Sequence, residues 1–96
     1  MRWTVRAHEH VVEIAAFIEN SSRFQAQRVV QLIVSETRRL NNNPRIGKMV
    51  PEVRDDRYRE LRVFSFRILY KIIDDDLVVV LGVVHGRRVL DPDWLL

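Results

Sequence analysis

Residues 58–88, YRELRVFSFRILYKIIDDDLVVVLGVVHGRR, hold three apolar-rich runs separated by two breaks, Phe64-Ser65 and Asp74-Asp75-Asp76. Breaks this short are hairpin turns, so the runs pair antiparallel as a three-stranded meander. A two-residue turn at Phe64-Ser65 sets Val63 opposite Phe66, Arg62 opposite Arg67 and Glu60 opposite Leu69. A three-residue turn at Asp74–Asp76 sets Ile73 opposite Leu77, Tyr70 opposite Val80 and Arg67 opposite Val83. In that register one face collects Leu61, Val63, Phe66, Ile68, Tyr70, Ile72, Val78, Val80, Gly82 and Val84, with Arg59 as its only charge, and is the core face. Gly82, lacking a Cβ, lets a helix approach it closely. The other face collects Tyr58, Glu60, Arg62, Arg67, Leu69, Lys71, Val79, Leu81, Val83, His85 and Arg87. Arg62 and Arg67 then sit side by side, a like-charge pairing that costs roughly 0.2–1 kcal/mol unless Glu60 or a bound anion offsets it. An ordinary solvated sheet face accounts for this basic set as well as an anion site does.

An apolar sheet face needs a cover, and the N-terminal half supplies one. Arg2–Arg6 alternates, with Trp3 and Val5 on one side, as a short opening strand. Over His8–Glu19 the period changes: Val11, Ile14, Ala15 and Ile18 recur at the spacing of one buried helix face. Asn20-Ser21-Ser22 interrupts this helix, and Ser22 with Gln25 has the form of a capping box opening a second helix near Arg23. Ala26, Val29, Val30, Ile33 and Leu40 mark its buried face, and Asn41-Asn42-Asn43-Pro44 ends it. Arg45–Arg57 has no clear period and reads as a long ordered loop returning to the sheet. The tail Asp91–Leu96 is a single turn or an extended end in which Trp94 needs apolar cover. The expected fold class is α+β: an N-terminal strand, then a helix hairpin packed on one face of a small, mainly antiparallel sheet with a C-terminal three-stranded meander.

With 96 residues, 47% hydrophobic and 30% charged, the composition is that of one folded domain spanning 1–96. No apolar run is long enough to cross a bilayer, and MRWTVRAHEH lacks the apolar core of a signal peptide, so a cytoplasmic location without a membrane partner is expected. The chain has no cysteine, which excludes disulfides and thiolate metal sites. A net charge of +3 and a pI near 9.9 lean toward polyanions or an acidic partner.

Few residue patterns carry chemistry. His8 and His10 are two apart and point to different sides of a helix, so His8-Glu9-His10 is a polar helix start and no metal site is expected. Asp74-Asp75-Asp76 lacks calcium-loop spacing and sits where a turn is required. No glycine-rich phosphate loop or nucleophile elbow is present, so nucleotide hydrolysis and serine chemistry lack support, and no cofactor is expected. His85 stands out: it ends an apolar strand beside a Gly and two Arg, on the face assigned to Arg62 and Arg67. Neighbouring cations loosen an imidazolium proton, which suits a general acid or base acting on a phosphodiester. The plainer alternative is a strand-end histidine bonded to backbone. Lys48, Arg62, Arg67 and Arg87 are the candidate phosphate-binding cations, with Tyr58 beside them.

The order strand, helix hairpin, loop, meander, together with Pro44-Arg45-Ile46-Gly47-Lys48, Tyr58-Arg59-Glu60-Leu61, Phe66-Arg67-Ile68-Leu69-Tyr70 and Val83-Val84-His85-Gly86-Arg87-Arg88, resembles the RelE/ParE superfamily of toxins from bacterial type II toxin–antitoxin modules. The resemblance covers essentially the whole chain. It implies a growth-arresting plasmid stabilisation toxin held inactive by a cognate antitoxin, with operator DNA reached only through that antitoxin. RelE-like members are ribosome-dependent mRNA endoribonucleases that use basic residues and a His, Tyr or Glu on the open sheet face. By position, Arg67 matches a phosphate-binding Arg of those ribonucleases and His85 lies near a catalytic His. ParE-like members poison DNA gyrase and have no established catalytic set. The chain lacks the RelE-like terminal Tyr, Lys48 has no close second Lys, and the HGRR ending looks ParE-like. The resemblance therefore leans to gyrase inhibition, with mRNA cleavage by Arg67 and His85 as one alternative and an inactive, antitoxin-bound co-repressor as another.

Overall fold

The computed structural model describes residues 1–95. Its elements are β1 (Arg2–Trp3), α1 (Val5–Glu19), α2 (Arg23–Arg38) continued by a 3₁₀ turn over Arg39–Asn41, β2 (Lys48–Met49), β3 (Tyr58–Val63), β4 (Phe66–Asp74), β5 (Leu77–His85) and α3 (Pro92–Leu95). The five strands form one sheet in the order β1-β5-β4-β3-β2, with β1 parallel to β5 and all other pairs antiparallel. The expected α+β architecture is present.

Local chemistry moves two of the expected boundaries. The opening strand stops at Trp3 because Thr4 caps α1: its Oγ1 accepts the Ala7 N–H at 3.0 Å. Thr4 also donates its N–H to Val80 O at 3.0 Å and its hydroxyl to Leu81 O at 3.2 Å. One residue thus ends the parallel pairing and starts the helix, and Val5 becomes helical and exposed instead of an inward strand residue. Ser22 caps α2 as expected by accepting the Gln25 N–H at 3.1 Å. Its own N–H goes to Ile18 O, so the reciprocal half of a capping box is taken over by the end of α1. The loop read over Arg45–Arg57 contains a two-residue edge strand, Lys48–Met49, paired with Glu60 and Arg59.

Helices α1 and α2 lie on one sheet face. Ala7, Val29, Ile33 and Leu40 bury against Leu61, Val63, Ile68, Tyr70, Ile72, Val78, Val80 and Val83, with Val11, Ile14 and Ile18 partly buried around them. Each large apolar side chain taken fully from water contributes about 1.5–3 kcal/mol. Fully buried Tyr70 ties this core to the connection after α2. Its hydroxyl donates to Pro44 O at 2.7 Å and accepts the Gly47 N–H at 3.0 Å.

The β3–β4 register matches the reading from the sequence at all three positions: Val63 with Phe66, Arg62 with Arg67, Glu60 with Leu69. The β4–β5 register departs from it. The turn is the two residues Asp75-Asp76, Asp74 pairs with Leu77, and Asp74 Oδ1 accepts the Asp76 N–H at 2.9 Å. Ile73 is left unpaired, which restores Tyr70 opposite Val80 as expected. Leu81 is the second unpaired residue, so Arg67 faces Val84 and not Val83. Beyond this bulge every β5 side chain is on the face opposite to the one assigned. Val83 joins the helix-side core, His85 pairs with Phe66 on that same side, and Gly82 and Val84 turn to the other. The bulge persists because side chains satisfy its edge: Thr4 holds Leu81 O, and His10 Nδ1 accepts the Val83 N–H at 3.1 Å.

The second face is not open to solvent either. Val50, Tyr58, Leu69, Val84, Leu90 and Leu95 bury one another there, with Val53, Leu81 and Trp94 at the margin. Trp94 stacks on His10 with ring centroids 5.7 Å apart and lies against the Cα of Gly82, where an added Cβ would sit 2.5 Å from the indole. Gly82 therefore receives the C-terminal tryptophan and the His10 ring, where a helix packed on the core face was expected.

Candidate functional site

The most charged concavity lies at the end of the second face where the β3–β4 turn meets the residues after β5. It is a shallow cleft of about 300 Å³ lined by Lys48, Glu52, Glu60, Arg62, Arg67 and Arg88, with Pro51, Gly86, Arg87 and Val89 completing its wall. Strands β2, β3 and β4 place Lys48, Glu60, Arg62 and Arg67 side by side. The register that brings Arg62 opposite Arg67 is the one that a two-residue turn dictates.

Arg67 is at the base of the cleft and only 4% exposed. Its guanidinium donates to both carboxylate oxygens of Glu52 at 2.8 Å, to Arg88 O at 3.0 Å and to Glu60. Glu52 also accepts the Leu90 N–H at 3.0 Å, and Lys48 Nζ stands 3.6 Å from Glu60. Hydrogen bonding to Arg67, opposed by burial, pulls the Glu52 carboxyl from its ordinary 4.5 down to about 2. The same Glu52 contacts hold the Arg67 proton more tightly than usual. The like-charge cost of pairing Arg62 with Arg67 is thus offset inside the protein, by two carboxylates bound to one of the pair.

The cations at the rim differ from Arg67. Lys48, Arg62, Arg87 and Arg88 are exposed, and none of the three arginines has a carboxylate partner among the described residues. Arg62 lies flat on the turn after β5: a Cβ on Gly86 would come 2.5 Å from its Nη1. Gly86 in turn donates its N–H to Ser65 O at 2.6 Å, which locks the hairpin tip to the start of the tail.

Of the residues singled out from the sequence, the fold brings Lys48, Arg62, Arg67 and Arg87 together and leaves two outside. Tyr58 is on the expected face but 3% exposed within the second core, with Lys71 Nζ 5.0 Å above its ring. His85 is on the helix side, its ring edge-on to Phe66 at 6.1 Å, and its Nδ1 accepts the Arg87 N–H at 3.2 Å. That is the strand-end, backbone-bonded arrangement, and the Leu81 bulge is what separates the imidazole from Arg67. Two participants were not singled out, Glu52 and Arg88. Arg88 adjoins Arg87 in sequence and was within reach of the same reasoning. Glu52 lies in a stretch with no period, and only the fold brings it to Arg67. His8 is exposed and His10 serves as a backbone acceptor. No helix among the described residues is long and apolar enough to cross a membrane.

Chemically, the cleft offers fixed positive charge and fork-shaped donors suited to phosphate or carboxylate oxygens. No histidine lines this cleft among the described residues, and its two carboxylates, Glu52 and Glu60, are both engaged by Arg67; His85, next to the rim at Arg87, has its Nδ1 taken up by the Arg87 N–H.

Comparison with known proteins agrees with this architecture. No curated protein matches the chain. A chain of a solved chromosomal ParDE toxin–antitoxin system from P. aeruginosa superposes with a TM-score of 0.69 at 18% identity, covering 88% of this chain and 91% of that one. At that identity the match is one of fold. The family model for the ParE toxin of the type II toxin–antitoxin system parDE matches residues 1–90. The chain belongs to the ParE toxin family of type II toxin–antitoxin systems.

Proposed function

We propose that the chain arrests growth by ParE-like inhibition of DNA gyrase in the cytoplasm, and that a cognate antitoxin holds it inactive until released. Family membership supplies the toxin role and implies the antitoxin. What favours a binding mechanism over RNA cleavage is one observation: Arg67 and His85, which a RelE-like ribonuclease would use together, do not converge. Arg67 is consumed by Glu52 and Glu60 within the fold, and His85 lies across the sheet bonded to the backbone. General acid–base catalysis requires its groups within hydrogen-bond reach of one reacting phosphate, and these two face apart. The exposed rim of Lys48, Arg62, Arg87 and Arg88 is instead a surface that binds.

Purified protein added to gyrase and relaxed plasmid is expected to block supercoiling or to accumulate cleaved DNA. Ribosomes programmed with message should show no new cleavage at the same concentration. Unimpaired supercoiling at excess toxin, or cleaved message, would sink this reading.

A further inference from the structure

The charge of the protein is unevenly placed. Of 16 Lys and Arg and 13 Asp and Glu in the chain, five and two line the cleft, which leaves eleven of each sign everywhere else. The whole net charge of +3 therefore resides at this one concavity. A concavity that carries the net positive charge of the protein focuses its field there and draws a polyanion to it.

A second feature stands at the same end. Phe64, at the tip of the β3–β4 turn, holds φ at 53° and is 57% exposed. A bulky aromatic residue is disfavoured in that left-handed backbone region. The two-residue hairpin requires that backbone conformation, but the Phe64 side chain adds nothing to the core, since it belongs to neither apolar cluster. It is two residues from Arg62, and the Ser65–Gly86 hydrogen bond joins its turn to the segment carrying Arg87 and Arg88.

We infer that the rim cations Lys48, Arg62, Arg87 and Arg88, with Phe64, form a binding site for single-stranded DNA. The arginines take backbone phosphates and Phe64 stacks on an unpaired base. An acidic protein segment would use the cations but give the exposed ring no planar partner. A duplex would offer phosphates but keep its bases stacked. Cationic grooves flanked by an aromatic platform are the chemistry by which proteins hold single strands. Arg67 is excluded from direct contact because it is buried and four of its five N–H donors are already engaged. This deepens the gyrase reading, and rests on it, by naming the nucleic acid that the toxin touches while that enzyme acts.

The test is fluorescence anisotropy of the purified protein with a labelled 15-nucleotide single strand, its duplex, the ribo-oligonucleotide of the same sequence, and polyglutamate. Thermal melts confirm that each variant is folded. The wild type should bind the DNA strand more tightly than the other three. Phe64→Ala should lose at least about 5-fold for the single strand and nothing for the duplex. The double change Arg62→Gln, Arg87→Gln should weaken both and flatten the single-strand salt dependence by about 1.4 log units per log unit of salt. Unchanged affinity in either variant, or equal or tighter binding of duplex, RNA or polyglutamate, would overturn the inference. Supercoiling measured alongside separates it from the functional reading. Inhibition without strand binding removes this site alone, and strand binding without inhibition removes gyrase alone.

Discussion

Replacing Arg67 with Ala should destabilise the protein rather than merely disarm it. The guanidinium contacts Glu52, Glu60 and the Arg88 carbonyl, and Glu60 is 2% exposed with Lys48 Nζ at 3.6 Å as its remaining charged neighbour. Removing one partner of such a buried pair costs about 3–5 kcal/mol, because the carboxylates left behind lose their main counter-ion in a site with little water, and Lys48 alone replaces it poorly. A domain of 96 residues has about 5–14 kcal/mol of total stability, so the loss is a large fraction of it. At about 4–8 °C per kcal/mol for a chain of this size, the melting temperature should fall by about 12–40 °C. Circular dichroism melts measure this directly. A second arm separates charge from packing: Arg67→Met combined with Glu52→Gln and Glu60→Gln removes the charges together and should recover most of the loss. Acid provides a third. The Glu52 pKa is lowered in the fold, so its contribution is complete above the ordinary value of 4.5 and drains as pH falls toward about 2. The pKa difference corresponds to about 3 kcal/mol, which Glu52→Gln should remove from the acid limb. An Arg67→Ala protein melting within a few degrees of wild type would refute the reasoning and return Arg67 to the pool of target-binding residues.

Two further outcomes follow from other parts of the molecule. Burial, the largest influence on His10, lowers its pKa, and the neutral ring accepts the Val83 N–H. Its stabilisation is therefore complete above the unfolded value of 6.5 and is lost as pH falls below it. Urea midpoints should drop between pH 7.5 and 5.5 in the wild type and hold nearly constant in His10→Gln, and equal drops in both would contradict this role. Tyr70→Phe leaves Pro44 O and the Gly47 N–H without partners. It should cost about 1–3 kcal/mol with an unchanged urea m-value and faster exchange of the Gly47 amide, and a neutral effect would show that water replaces the hydroxyl.

Much of the candidate site could be read before any coordinates. The Phe64-Ser65 turn put Arg62 beside Arg67, and that pairing is present because a two-residue hairpin leaves one register. The same step applied to β5 misassigned His85 and Val83. A single bulged residue inverts every later side chain, and what stabilises the bulge lies in Thr4 and His10, more than seventy positions away. Tyr58 and Leu69 were given to a solvated face because nothing local announces that Val50, Leu90 and Leu95 fold over them. Glu52 was passed over because its stretch has no period and its partner lies fifteen residues on.

The division between the two kinds of knowledge follows from range. Periodicity, caps and short turns act within a few residues, and they determined the helix hairpin, the meander, the β3–β4 register and, up to the bulge in β5, the apolar face that welcomes the helices. Tertiary structure alone decided which arginine is buried and which remain available, and on which side of the sheet His85 lies. Those outcomes depend on the desolvation of charges and the capture of edge amides by groups distant in sequence. Arg62 and Arg67 are alike as letters in a strand. Burial beside Glu52 and Glu60 makes one of them part of the framework and leaves the other to meet a partner.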